Sequence, residues 1–471
     1  MRLWRSSRIR RPPADFVKTG GSPWNRTTIG GKSTAPGIRS TVKILFIVPY
    51  VPNRIRTRPF NLIKALKEQG HQVLVATLWT TPEELEELQC GLGVEPALAE
   101  PISVYRSLWN CLRTLPGKSP LQSSYSWQPK LAAKLGELIQ TADVDAVHVE
   151  HLRGVRYALY LTRFLSITGR QLPVIWDSVD CISQLFARAG KESSSLASRM
   201  IARFELPRTR RYEGWALGRF NRVLVTSQVD RAHLLDLAFL QNGSANQARR
   251  KMEARIRVLP NGVDLDYFSP SEDQREPSTL VFTGKMSYHA NVAAVTSFVK
   301  EVMPELWAAR PGVCLWIVGK DPTPEVRELE NWRPANGNGN APGKPICVTG
   351  TVDDIRPFLR KAAIAIAPIQ YGAGIQNKVL EAMACGTPVV TTPQAVAAIT
   401  ARPGQDLLVA ESSRDLAAAI ISLLDDPAKR VRLQQSGRCF VERNHNWRAV
   451  ATLLTSIYGE ANAELSVRSR S

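Results

Sequence analysis

Short, near-continuous runs of β-branched and other apolar residues recur along the chain, and the segments between them carry helical periodicity. No other feature constrains the fold as strongly. Residues 42–48 (Val-Lys-Ile-Leu-Phe-Ile-Val) form the first run, the pattern of a strand buried on both faces. Pro49-Tyr50-Val51-Pro52-Asn53 ends it. Leu62, Ile63, Ala65 and Leu66 then mark a helix that stops at Gly70, and residues 71–77 are the next run. A strand–helix–strand unit crosses over right-handed and builds a parallel sheet. The same reasoning predicts strands at 146–149, 173–176, 221–226 and 256–259, with a long helix or helix pair over 193–219.

Pro260-Asn261-Gly262 is a turn signal, and after it a second series begins. Strands are expected at 279–283, 313–318, 346–349, 363–368 and 388–391, with a helix near 292–302. The predicted fold is α/β: two Rossmann-like, doubly wound parallel-sheet domains facing across a cleft. Ligands of such sheets bind beyond the carboxyl ends of the strands, and the interdomain cleft is the natural site. The expected division is a disordered basic tail over 1–41, an N-terminal domain over 42–258, a C-terminal domain over 259–430, and a helical segment over 431–471. The last is expected to pack back on the N-terminal domain from Trp447 to about Asn462.

Several classes are excluded. No run approaches the ~18 apolar residues of a membrane span. Arg10-Arg11 is followed by Pro12, Pro13 and Asp15 rather than an apolar stretch, which argues against a secretory signal. The seven cysteines are scattered without a C-x-x-C pair, so a reduced, cytoplasmic setting is expected. His148 and His151 lack a third ligand nearby, and no metal is expected. Gly343-Lys344 is followed by Pro345 where a phosphate-binding loop needs Ser or Thr, so 330–345 reads as a surface insertion.

The formal charge is +19, from 61 Lys+Arg against 42 Asp+Glu. It divides unevenly: +8 on 1–41, +11 on 42–258, −3 on 259–430 and +3 on 431–471. No helix-turn-helix, RNA-recognition or zinc-finger pattern accompanies it, and no nucleic-acid partner is expected. Arg199, Arg203, Arg208, Arg210, Arg211, Arg219 and Arg222 crowd one stretch with only Glu205 and Glu213. That stretch is an expected contact for an anionic membrane surface.

The most specific segment is residues 368–390, PIQYGAGIQNKVLEAMACGTPVV. It reads as strand end, glycine loop, helix, Gly-Thr-Pro stop and strand. Loop glycines let backbone N–H groups approach an anion, and a helix from about Ile375 aims its positive end at it. Lys378 and Glu381, three apart, share a helix face. A cation for phosphate and a carboxylate for paired hydroxyls suit a nucleotide sugar.

This segment resembles the signature of the family 4 (group 1) glycosyltransferases of GT-B fold. The resemblance implies that Glu381 holds the nucleotide ribose. It also implies that Gly372 and Gly374, with Ile375, Asn377 and Lys378 behind them, hold the diphosphate. Phe282-Thr283-Gly284-Lys285-Met286 resembles the family's glycine-basic loop, implying diphosphate contacts from Gly284 and Lys285. Residues 259–264 resemble its interdomain linker, and residues 348–354 the turn beside its base pocket. Residues 44–52 and Asp177-Ser178-Val179-Asp180 are similar to sugar transferases of exopolysaccharide and PEP-CTERM systems.

The sequence departs from the family in places. Ala373 stands eight residues before Glu381, where a glutamate is frequent. His289-Ala290-Asn291 stands where a second basic residue is expected, and Arg56 or Arg58 is expected to supply that charge from across the cleft. Asp180 and His151, at predicted strand ends, are candidate catalytic residues on the acceptor side, with Lys285 on the donor side.

The resemblance implies a retaining transfer from a nucleotide-diphosphate sugar to a glycan, expected to be lipid-linked, without a metal. The expected location is the cytoplasm, at the inner face of the plasma membrane. A non-catalytic nucleotide-sugar-binding protein and a nucleotide-sugar epimerase are the alternatives.

Overall fold

Two parallel sheets lie in sequence along the chain. The computed structural model describes residues 41–53, 57–192, 196–242, 246–272, 274–334, 345–371 and 375–468. Residues 41–471 form one unit. The 1–40 tail, Arg56, Gly372, Ala373, Gly374 and most of the 330–345 insertion lie outside the described residues.

The first sheet contains β1 (Lys43–Val48), β2 (Gln72–Trp79), β3 (Leu98–Pro101), β4 (Ala146–Glu150), β5 (Val174–Val179), β6 (Arg222–Val225) and β7 (Ile256–Val258). Their order is β3-β2-β1-β4-β5-β6-β7. The second contains β8 (Glu276–Thr283), β9 (Cys314–Val318), β10 (Ile346–Gly350), β11 (Ala362–Ala367), β12 (Val389–Thr391) and β13 (Leu408–Val409). Their order is β10-β9-β8-β11-β12-β13. Every named pairing is parallel. Each sheet reverses direction once, between β1 and β4 and between β8 and β11, and each reversal opens a crevice at the carboxyl ends.

The period of two along a strand explains why β1 is apolar throughout. Leu45 and Ile47 join the core on one sheet face. Ile44, Phe46 and Val48 join the core on the other. All five are fully buried, each contributing roughly 1.5–3 kcal/mol. The C-terminal helix Trp447–Arg468 supplies Trp447, Val450, Leu454, Ile457 and Tyr458 to the second of these cores. This helix, which follows the second sheet in the chain, thus packs against the first.

The expected helix over 292–302 is three pieces: an α-helix His289–Ser297, a π turn Phe298–Val302, and an α-helix Met303–Ala309. Pro304 explains the break. It has no N–H, and its ring would collide with the carbonyl of Lys300 in a continuous α-helix.

The chain crosses between the halves twice, and the crossings are tied together. Val263 N donates to His445 O at 2.7 Å, and His445 Nδ1 lies 2.7 Å from Asn261 O. Gly262 passes so close beneath Trp447 that a Cβ there would sit 2.6 Å from the indole.

The arginine stretch is not a uniform basic face. Arg222 is buried and ion-paired with Glu464. Arg208 folds back onto the carbonyls of Thr114, Ser119 and Leu115. Arg203, Arg210, Arg211 and Arg219 are exposed. The seven cysteines are all free, and among the described residues no helix is long and apolar enough to cross a membrane.

Candidate active site

Strand ends β8 and β9 meet at two glycines. Gly284 follows β8 and Gly319 follows β9, with φ of 152° and 150°. A Cβ on Gly319 would lie 1.7 Å from Gly284 O, so only glycine fits there. A Cβ on Gly284 would lie 2.7 Å from Asn291 Nδ2 and 3.2 Å from Lys378 Nζ. The glycine turn is therefore in direct contact with the lysine of the helix Asn377–Ala384.

Lys378 is held by two groups. Its Nζ donates to Asn291 Oδ1 at 2.5 Å and lies 4.4 Å from the Phe282 ring centroid. Asn291 is fixed in turn because its Nδ2 donates to Lys285 O at 2.9 Å. No carboxylate forms an ion pair with Lys378 among the described residues. Burial holds its ammonium down to about 7, against the opposing pull of Glu381. Burial likewise lifts the Glu381 carboxyl to about 7, against the opposing pull of Lys378. Both groups are short of counter-charge, the condition of a site built for a charged ligand.

Glu381 opens into a cavity of about 620 Å³ between the halves. Asp353, Ile355 and Arg356 line it from the turn after β10, and Thr57, Asn61 and Lys64 from the first half. Arg356 stacks 3.8 Å from the Tyr267 ring centroid and is fixed by Asp354 at 2.9 Å. Asn377, at the helix start, reaches across to Thr57, its Nδ2 lying 3.4 Å from Oγ1. Ile375 is buried in the second core, so its side chain packs rather than faces the cavity. Lys285 is more than half exposed, with its Nζ 3.7 Å from Asp321.

The opposing strand ends carry the acceptor-side candidates. Among the described residues, three non-glycine residues have positive φ: His151 (64°), Val179 (68°) and Asp321 (55°). All three sit at or just past strand carboxyl ends. Such strain persists where surrounding structure imposes it, and it concentrates at functional sites. Burial, reinforced by Arg153, pushes the His151 imidazole down to about 4. Burial, then the charge of Asp230, lifts Asp180 to about 6, although Thr226 Oγ1 donates to it at 3.1 Å. Tyr288, in the loop after Lys285, has its phenol pushed up by burial and by the Asp180 charge.

Arg58 is not the donor-side cation expected from the sequence. Its Nε donates to buried Asp177 at 2.9 Å, and its Nη1 donates to Asn261 Oδ1 at 2.7 Å. His148 Nε2 lies 3.4 Å from the same Asp177 oxygen, and His148 Nδ1 lies 2.9 Å from Tyr458 Oη. Burial alone would raise Asp177, but Arg58 and then His148 hold its carboxyl below the ordinary carboxylate range. This buried chain ties β4, β5, the linker and the C-terminal helix together. Nothing in the local sequence pattern pointed to the role of Asn291 or to the Tyr458–His148 contact.

Comparisons with known proteins identify the family. The model described as Glycosyltransferase Family 4 matches residues 56–267, and the model described as Glycosyl transferases group 1 matches residues 277–426. The chain belongs to the family 4 (group 1) glycosyltransferases. It is 26% identical over 273 residues to a glycogen synthase of Mycobacterium tuberculosis, covering 55% of this chain and 62% of that protein. It is 29% identical over 213 residues to a GDP-mannose-dependent monoacylated alpha-(1-6)-phosphatidylinositol monomannoside mannosyltransferase of Corynebacterium glutamicum, covering 42% and 55%. The chain thus spans about three-fifths of the length of these curated relatives. Among solved structures, sucrose-phosphate synthase of Thermosynechococcus elongatus matches with TM-score 0.57 at 18% identity, covering 90% of this chain and 100% of that one. TarM matches with TM-score 0.61 at 8% identity, covering 88% and 98%. These structures share the two-domain GT-B fold.

Proposed function

We propose that this chain transfers a sugar from a nucleotide-diphosphate sugar to a hydroxyl of a lipid-linked glycan, with retention at the anomeric carbon, in polysaccharide assembly such as that of exopolysaccharides. The observation that carries the reading is the Lys378–Glu381 pair beside Gly284. It joins a counter-charge-starved cation, a turn of close-approach glycines and a carboxylate on one wall of the cleft.

In this reading Lys378, the Gly284 turn and Lys285 hold the diphosphate. Glu381 accepts hydrogen bonds from the ribose hydroxyls, and the Tyr267–Arg356 wall borders the base. As the bond from the anomeric carbon to the diphosphate oxygen breaks, charge grows on the leaving group where these donors are already placed. Removing one such preorganised donor typically lowers kcat by about 10²–10³. The acceptor hydroxyl enters from the first half and is positioned by the cleft. Asp180, and His151 with a neutral ring, are the groups there able to accept its hydrogen bond. The phosphate charge is balanced by these protein groups, so chelation by EDTA should leave turnover unchanged. Support for a lipid-linked acceptor comes from the Corynebacterium relative, whose name describes a phosphatidylinositol-based acceptor.

The test measures released nucleoside diphosphate across a panel of nucleotide sugars, with membrane lipid extract as acceptor. Turnover with one donor, lost in Glu381→Gln, supports the reading. Neither binding nor turnover with any donor would overturn it.

A further inference from the structure

One surface helix is turned inside out. The helix Val104–Thr114 follows the edge strand β3, at the carboxyl-end side of the first sheet. Its apolar residues Val104, Tyr105, Leu108, Trp109 and Leu112 are all more than half exposed. Its polar side faces the protein instead. Ser107 is fully buried, Asn110 Nδ2 donates to Trp127 O at 2.9 Å, and Thr114 Oγ1 bonds Ser124 Oγ at 2.9 Å. An ordinary surface helix does the reverse.

The patch continues onto a second element. The helix Leu196–Ala216 exposes Leu196, Met200, Ile201 and Phe204, spaced along one helical face. Arg208 joins the two helices, with its guanidinium 4.3 Å from the Phe204 ring centroid and its Nη1 bonded to Thr114 O at 3.3 Å. Monomers rarely expose apolar surface on this scale without an occupant.

The charges on the patch identify the occupant. Arg106, Arg113 and Lys118 border the first helix, and residues 103–119 contain no acid. On the second helix, Arg199 and Arg203 stand among the apolar residues. The one acid between residues 196 and 211 is Glu205, which is buried and accepts from Leu121 N at 3.0 Å. Beside the first helix an open cavity of about 720 Å³ is walled by Arg106, Arg113 and Arg156 with Trp109 and Trp127. A second copy of the chain would set arginine against arginine in a two-fold interface. The basic 1–41 segment is like-charged as well.

We propose that these two helices dock on an anionic lipid bilayer. Their apolar residues enter the headgroup–acyl boundary, and the flanking arginines meet lipid phosphates. Docking there would hold the membrane beside the cleft, where a lipid-linked acceptor enters. In that purpose, though not in its observations, the proposal rests on the transferase reading.

The test uses the full chain and vesicle flotation at 0.1 M salt. Wild type should bind vesicles containing one-third phosphatidylglycerol roughly tenfold more tightly than neutral phosphatidylcholine vesicles. Leu108→Ser/Leu112→Ser/Met200→Ser/Ile201→Ser should lose about tenfold or more of that binding, with an unchanged melting temperature. Equal binding of both proteins to the anionic vesicles would overturn the proposal. So would a variant whose only change, by sedimentation velocity, is loss of a dimer. Binding of nucleoside diphosphate by both proteins reads the donor site separately, so failure of the surface and failure of the site give different results.

Discussion

The two halves share a strand order but treat the charges at their strand ends in opposite ways. In the first half, Arg58 is paired with Asp177, which His148 also approaches, and the chain runs on to Tyr458 and to the linker residue Asn261, with Arg58 Nη2 left over. In the second, Lys378 and Glu381 share a helix face without an ion pair, both drawn to about 7. Paired charges report on how the molecule is held together, and unpaired ones, in the reading proposed above, on what it is built to hold.

The largest expected difference is in stability. Arg58→Met leaves Asp177 buried without its cation and should cost about 3–5 kcal/mol, read by denaturant unfolding. Arg58→Met/Asp177→Leu should recover much of that loss. Glu381→Gln should leave the unfolding free energy within about 1 kcal/mol. Equal destabilisation by Arg58→Met and Glu381→Gln would erase the contrast between the halves.

Ligand affinity comes next. Losing hydrogen bonds to a charged group costs about 1.5–3 kcal/mol. Glu381→Gln should therefore weaken nucleotide-sugar binding by roughly 10–100-fold, and His148→Gln much less. The pH profile is the third test. Glu381 must be ionised to accept from hydroxyls, so affinity should fall below pH about 7 as it protonates. Lys378 must be charged to hold phosphate, so affinity should fall above about 7 as it deprotonates. Glu381→Gln should remove the acid limb and keep the alkaline one.

The smallest effect is at the rim. His151 has φ of 64°, and His151→Gly should raise stability by about 1 kcal/mol while lowering transfer. A loss of stability would show that the ring is a packing group.

The alternation of apolar runs made both sheets legible, because strands buried on two faces leave continuous runs. It missed β3 and β13, which are edge strands. Leu98–Pro101 has no fully buried residue, and Leu408–Val409 is two residues long, so neither leaves a run. Glycines after strands pointed to the turn at Gly284, and the 368–390 segment to Lys378 and Glu381. Pairings across long separations left no trace. Asn291 and Lys378 are 87 residues apart, and Arg58 and Asp177 are 119 apart. Arg58 accordingly read as an available cation, when its charge is taken up inside the first half. The helix Val104–Thr114 was not anticipated at all, and periodicity would in any case tell which side is apolar and not which way it faces.

In the proposed reading Lys378 waits for an anion, and calorimetric titration with nucleoside diphosphate at pH 7.5 tests this most directly. An arriving diphosphate should restore the ammonium, so binding should take up protons and its enthalpy should change with the ionisation enthalpy of the buffer. Lys378→Met should lose both the proton uptake and most of the affinity. Unchanged affinity in Lys378→Met, with no proton uptake in the wild type, would contradict the account.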